Sequence, residues 1–120
     1  VDGWAELYLS NTKDKSMHSL TAFRGRSGTP VRTRAFSDIL LLIRPDIVKI
    51  DIEGGEYDLD FTLLPSSVRA IAIEFHLGRQ PWRDEGVPRI EGELRNLGFS
   101  PVDKTGVTRT SWNETITWRR

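Results

Sequence analysis

Along the 120-residue chain the apolar positions change period several times, and each change marks an element. The stretch WAELYLS, Trp4 to Ser10, alternates: Ala5, Leu7 and Leu9 fall on one face, Trp4, Glu6 and Tyr8 on the other. A period of two predicts a half-buried strand. The polar NTKDKSMHS that follows reads as a loop. LTAF and PVRTRAF read as further strand pieces around the turn-like GRSGTP. Residues 1–35 are therefore expected to form a β-hairpin or meander region.

SDILLLIRP changes character. Ser37 suits an N-cap, Asp38 suits the positive end of a helix dipole, and Pro45 stops the helix. The apolar strand DIVKIDI comes next, then a turn at Gly54-Gly55 and a short helical stretch from Glu56 to about Leu64, ended by Pro65. VRAIAIEFH, Val68 to His76, is a second strong strand, almost continuously apolar from Ala70 to Ile73. Runs of that kind suit parallel strands buried on both faces. In RIEGELRNLGF, Ile90, Leu94 and Leu97 repeat at helical spacing, with Gly98 placed to follow the helix end. FSPV and the alternating WNETITW predict two closing strands. In WNETITW, Trp112, Glu114, Ile116 and Trp118 share a side.

This order predicts one α/β domain over residues 1–120, with an α/β core at 36–120. Its sheet is partial and Rossmann-like, with parallel strands near 47–52 and 68–75. A β-hairpin precedes that core, and a helix and a terminal antiparallel hairpin follow. Ligands of such sheets gather beyond the carboxyl ends of the strands. Asp51, Glu53 and Glu56 fall at one carboxyl end, Glu74 and His76 at the other. If the two strands are neighbours, five titratable groups meet at one rim.

Composition narrows the chemistry. The hydrophobic share of 38% and four tryptophans supply a modest core. The 28% of charged residues sum to a net charge of zero, which does not mark disorder. Such balance gives no global reason to seek nucleic acid or an anionic membrane. The longest apolar run, Ile39 to Ile43, is far short of a membrane span, and no signal-peptide pattern is visible. A cytoplasmic protein is expected. With no cysteine, disulfides and thiolate metal sites are excluded. The charge is unevenly spread: residues 1–45 carry +3, residues 46–76 carry −5 and residues 77–120 carry +2. The acidity is concentrated on the rim.

A phosphate cradle wants a glycine turn and a helix N-terminus free of negative charge. Gly54-Gly55 supplies the turn, but Asp51, Glu53 and Glu56 would repel a phosphate. Carboxylates facing a cleft favour a cation, an amine, or a hydroxyl whose proton must leave. A hard ion such as Mg²⁺ also takes carboxylate oxygens. No zinc-ligand spacing exists, since His18 and His76 are far apart in sequence, and His18 reads as solvated in its polar loop. Asn113-Glu114-Thr115 fits a glycosylation sequon with nothing else to suggest secretion, and Arg24, Arg26, Arg32 and Arg34 read as a solvated face.

Lys49-Ile50-Asp51-Ile52-Glu53-Gly54-Gly55-Glu56, followed by a strand ending IEFH, resembles the signature of the FkbM family of S-adenosylmethionine-dependent methyltransferases. GWAELYLS and VRTRAFSDIL resemble the hairpin and short helix that precede it, so the likeness covers about residues 3–100. Gly55 departs mildly from the commoner alanine. The resemblance implies methyl transfer from S-adenosylmethionine to an acceptor such as a small-molecule or glycan hydroxyl. It implies Asp51 nearest the acceptor, with Glu53, Glu74 and His76 as base or orienting groups and no resident metal. Glu56 is expected to act as a structural cap and Lys49 as an ion-pair partner.

The family's N-terminal half, with its glycine-rich cofactor turn, has no counterpart in this sequence. The chain therefore resembles the carboxyl-terminal half of the fold, and a partner chain or dimer mate is expected to cover the edge of strand 47–52. The alternatives are a non-catalytic half-fold binding module, or a metal-dependent hydrolase using Asp51, Glu53, Glu74 and His76.

Overall fold

The computed structural model describes residues 3–8, 28–102 and 112–120. The NTKDKSMHS and LTAF segments, turn residues 25–27, His18, Arg24 and Arg26 lie outside the described residues.

Two strands, β1 (Gly3–Tyr8) and β2 (Gly28–Thr33), pair antiparallel as a sheet of their own. The alternation seen in sequence decides which face is covered: Ala5 and Leu7 are half-buried while Trp4 and Glu6 are exposed. Gly28 to Pro30, expected to be part of the turn, belongs to β2 instead. Gly28 lies against the Glu6 side chain, where an added Cβ would meet Glu6 atoms at 2.7 Å.

Helix α1 (Phe36–Ile43) starts two residues earlier than its sequence suggested. Ala35 is the N-cap and Ser37 makes no capping bond, although Asp38 does sit in the first turn. The stop is as read: Arg44 takes a left-handed conformation at φ 51° and Pro45 follows. The apolar run makes α1 hydrophobic on nearly every side. Only Leu40 is buried; Leu41, Leu42 and Ile43 are exposed, Leu42 to 82%.

The main sheet has four strands in the order β3-β4-β6-β5. β3 (Ile47–Ile50) and β4 (Ala70–His76) are parallel, with Ile47 opposite Ala70 and Ile50 opposite Ile73. Between them the chain makes two 3₁₀ turns, Gly55–Asp58 and Phe61–Leu63, rather than one helix. The carboxylate of Asp60 caps the second by accepting from Thr62 N at 3.0 Å. A π-helical turn (Trp82–Gly86) leads into helix α2 (Val87–Asn96), and Gly98 beyond its end takes φ 88°, open to glycine without strain. β5 (Ser100–Pro101) and β6 (Asn113–Arg119) are antiparallel, as their alternation implied, and β6 also runs antiparallel to β4.

β4 forms the spine of the core. Ile71, Ile73 and Phe75 are fully buried, while Ala70, Ala72 and Glu74 on the other face are half-buried. Burial on both faces is thus met on one face only. Ile90 and Leu94 of α2, Phe61, Phe99 and Trp118 close the buried side. Arg120 fastens the chain end to this core. Its guanidinium donates to the carbonyls of Val68, Leu97 and Pro65 at 2.9, 3.1 and 2.7 Å and lies over the Phe99 ring. Pro65 and Val68 belong to one turn and Leu97 to the end of α2, so one side chain ties two segments to the chain end.

Trp118 is 0% exposed, so its loss leaves a large void. Trp118→Ala is expected to lower unfolding free energy by about 3–5 kcal/mol, read from urea titrations; a change within experimental error would mean that β6 is not part of the core.

Candidate functional site

The parallel register places the carboxyl ends of β3 and β4 side by side, and all five titratable groups read from the sequence meet there. Asp51 leaves β3 exposed to solvent. The chain then folds back sharply: Glu53 sits at φ 53° and Gly54 at φ 98°, and Gly55 N donates to Ile52 O at 3.0 Å. Gly54 has a second requirement. An added Cβ would meet Trp82 at 2.5 Å, because the indole lies directly on the turn. Trp82 in turn stacks on Tyr57 at a ring separation of 5.2 Å, and the Arg79 guanidinium covers its ring. Tyr57 Oη donates to His76 O at 2.8 Å; burial, helped by the nearby Glu56 and Glu114 carboxylates, holds this phenol far above its ordinary range.

Glu56 is the anchor. It is fully buried, yet both oxygens of its carboxylate have partners. Oε1 accepts from His76 N at 2.7 Å and faces His76 Nδ1 at 3.0 Å; Oε2 accepts from Gly54 N at 2.9 Å. The expected capping role is real, and the same carboxylate also fixes the histidine. Because an ionised carboxylate only accepts, Nδ1 carries the proton, and Nε2 is turned toward Glu53 Oε2 at 3.3 Å. Burial pushes Glu56 up, but hydrogen bonds from the His76 side chain and backbone outweigh it and leave the carboxyl below its ordinary 4.5. His76 moves the other way: its bond to Glu56 outweighs burial and, with the charges of Glu56, Glu53 and Glu74, raises it above 6.5.

Glu74, half-buried, accepts from Asn113 Nδ2 at 2.8 Å. Asn113, the sequon residue, thus spends its amide within the sheet. One ligand atom each of Asp51, Glu74 and His76 lies within 4.8 Å of the other two. Lys49, expected to pair with an acid, is exposed and makes no ion pair among the described residues. The alternation of β3 turns it away, since Val48 and Ile50 take the inward positions. The Tyr57–Trp82 clamp and the Asn113 contact are absent from the sequence reading. Trp82 lies well beyond the signature, with no pattern linking it to Gly54.

The chain matches the family model described as the methyltransferase FkbM domain over residues 2–101. The chain belongs to the FkbM methyltransferase family. No curated protein and no solved structure matches it. This FkbM domain carries its signature, Lys49 to Glu56, on the end of β3 and the turn beyond. Two of the signature's residues now have physical reasons: Gly54 admits the indole at positive φ, and Glu56 is the buried acceptor. No helix among the described residues is long and apolar enough to cross a membrane.

The Glu56–His76 pair makes stability depend on pH at both ends. The carboxylate's contribution is present above about pH 4.5 and is lost as pH falls through its lowered folded value. The histidine's contribution is complete below pH 6.5 and is lost as pH rises through its raised folded value. Melting temperature is therefore expected to peak between these limits. In Glu56→Gln the loss on the alkaline side should shrink; an alkaline limb as steep as that of the unsubstituted chain would remove the pair as its cause.

Proposed function

We propose that this FkbM domain transfers a methyl group from S-adenosylmethionine to a hydroxyl oxygen of a small molecule or glycan, held at the rim of β3 and β4. The observation carrying this reading is the convergence of Asp51, Glu53, Glu74 and His76 at the carboxyl ends of two parallel strands in a member of a methyltransferase family. Sheets of this type hold ligands at that end. The donor supplies an electrophilic methyl group. The acceptor's oxygen must be aligned with it and must lose a proton, which is work for positioned carboxylates and an imidazole. Asp51 is exposed and stands nearest an incoming acceptor, while Glu53, Glu74 and His76 line the wall behind it.

The described residues do not fit the donor itself. Their glycine-pair turn, Gly54-Gly55, is packed against the Trp82 indole and bordered by Glu53 and Glu56. We place the donor site on a partner polypeptide that adds a strand to β3. Among the described residues β3 pairs on one side only, Ile47 is 71% exposed, and the preceding helix α1 exposes Leu41, Leu42 and Ile43. A strand added in parallel there would end next to Asp51 and carry its own turn to the rim.

Asp51→Asn in the active assembly is expected to lower kcat by about 10²–10⁴-fold with the melting temperature preserved; unchanged turnover would remove Asp51 from catalysis. Calorimetric titration of S-adenosylhomocysteine into the 120-residue chain, with its mass measured in parallel, tests the donor's location. No saturable binding by the monomer is expected. Saturable binding by a monomer would put the donor site on this chain.

A further inference from the structure

The geometry points to a divalent-cation site formed by Asp51, Glu74 and the Nε2 atom of His76 at the rim of β3 and β4. One ligand atom from each residue lies within 4.8 Å of the others, so small side-chain rotations bring all three onto one ion. First-row and alkaline-earth divalent ions sit about 2.0–2.6 Å from such ligands.

The trio is more than an acidic patch, because the histidine is built into place by a residue outside it. His76 is only 9% exposed. Glu56, fully buried and itself held by Gly54 N and His76 N, occupies Nδ1. A carboxylate on the far ring nitrogen is the arrangement that orients metal-binding histidines and fixes their tautomer. Nε2 faces Glu53 Oε2 at 3.3 Å, a contact that the ion would replace. Glu74 is oriented in the same manner. Asn113 holds its Oε1 at 2.8 Å and leaves Oε2 without a partner among the described residues.

Charge argues in the same direction. Among the described residues no lysine or arginine pairs with Asp51, Glu53 or Glu74; the His76 imidazole, facing Glu53, is their ion-pair contact there. An ion here would balance a rim otherwise crowded with carboxylates. Two carboxylate oxygens with one imidazole nitrogen suit Mn²⁺, which takes both atom types, better than Mg²⁺, which favours oxygen alone. Three protein ligands, one of them on exposed Asp51, leave positions open for water or an acceptor oxygen. Binding of the ion stands on this geometry alone. Its use to hold and acidify an acceptor hydroxyl rests on the methyl-transfer reading.

The test needs no methyl donor, so its failure and that of the methyl-transfer reading are separable. Mn²⁺ is titrated into the full chain and followed by calorimetry and by the loss of the free-ion electron paramagnetic resonance signal. One saturable ion per chain is expected, with affinity at least tenfold weaker in Asp51→Asn and in Glu74→Gln and unchanged in Glu91→Gln on α2. Pulsed resonance on the His18→Gln variant, which leaves His76 as the sole histidine, should show coupling of Mn²⁺ to an imidazole nitrogen. Absence of saturable binding, binding that survives both carboxylate substitutions, or absence of nitrogen coupling would each overturn the site.

Discussion

A completely buried carboxylate must find its partners inside the protein or destabilise the fold, and the site is organised around Glu56 meeting that demand. Burying an unpaired ion costs several kcal/mol even after relaxation. Glu56 avoids this by accepting from the backbone of the strand beside it, from the turn that carries it and from an imidazole. These bonds can form only if β3 and β4 lie parallel in the observed register, since His76 ends one strand and Gly54 begins the turn off the other. Secondary structure, turn conformation and histidine orientation are therefore one interlocked choice. A slip of β4 by one residue would turn His76 to the other face and leave the carboxylate with only its local bond from Gly54 N.

The turn shows how such a demand propagates. To bring Glu56 back under the sheet the chain reverses within a few residues, which takes Glu53 and Gly54 to positive φ. Glycine adopts that region freely, but glutamate does so against a steric penalty that its surroundings must offset. The Trp82 indole occupies the space that a side chain at 54 would need, and Tyr57 stacks on it. The clamp fixes the turn, the turn fixes Glu53 beside His76, and the rim acquires its shape from residues that never face the cleft.

How much of this the sequence revealed follows from the range of each interaction. Period-two and helical patterns located β1, β4, α2 and β6 because burial of one face is a local constraint that repeats along the element. The signature identified Asp51, Glu53 and Glu56 as a group, and the ends of two apolar runs put Glu74 and His76 near them. Errors arose where the deciding contact is distant or subtle. Ser37 looks like a cap, yet the helix begins at Phe36 with Ala35 as its N-cap and no side-chain capping bond. Glu56 reads as a local cap because its bond to Gly54 is local, whereas its bond to His76 depends on strand order. Lys49 reads as an ion-pair partner, but the pleat points it outward. The grip of Arg120 on three distant carbonyls has no local pattern at all.

The same interlocking leaves one side of the molecule unresolved by its own contacts. A helix apolar all round normally lies inside a protein, since water on its second face forfeits about 25 cal/mol for each Å² left uncovered. α1 buries Leu40 and exposes Leu41, Leu42 and Ile43, and β3, which follows it in the chain, has one unpaired edge among the described residues and exposes Ile47. Helix and edge strand each leave a surface without a partner there. A parallel strand that satisfied β3 would be held by the backbone, and its carboxyl end would stand beside the acidic rim. The constraint that shapes the site from within, the burial of Glu56, therefore leaves an outer edge whose completion would act on the same few residues.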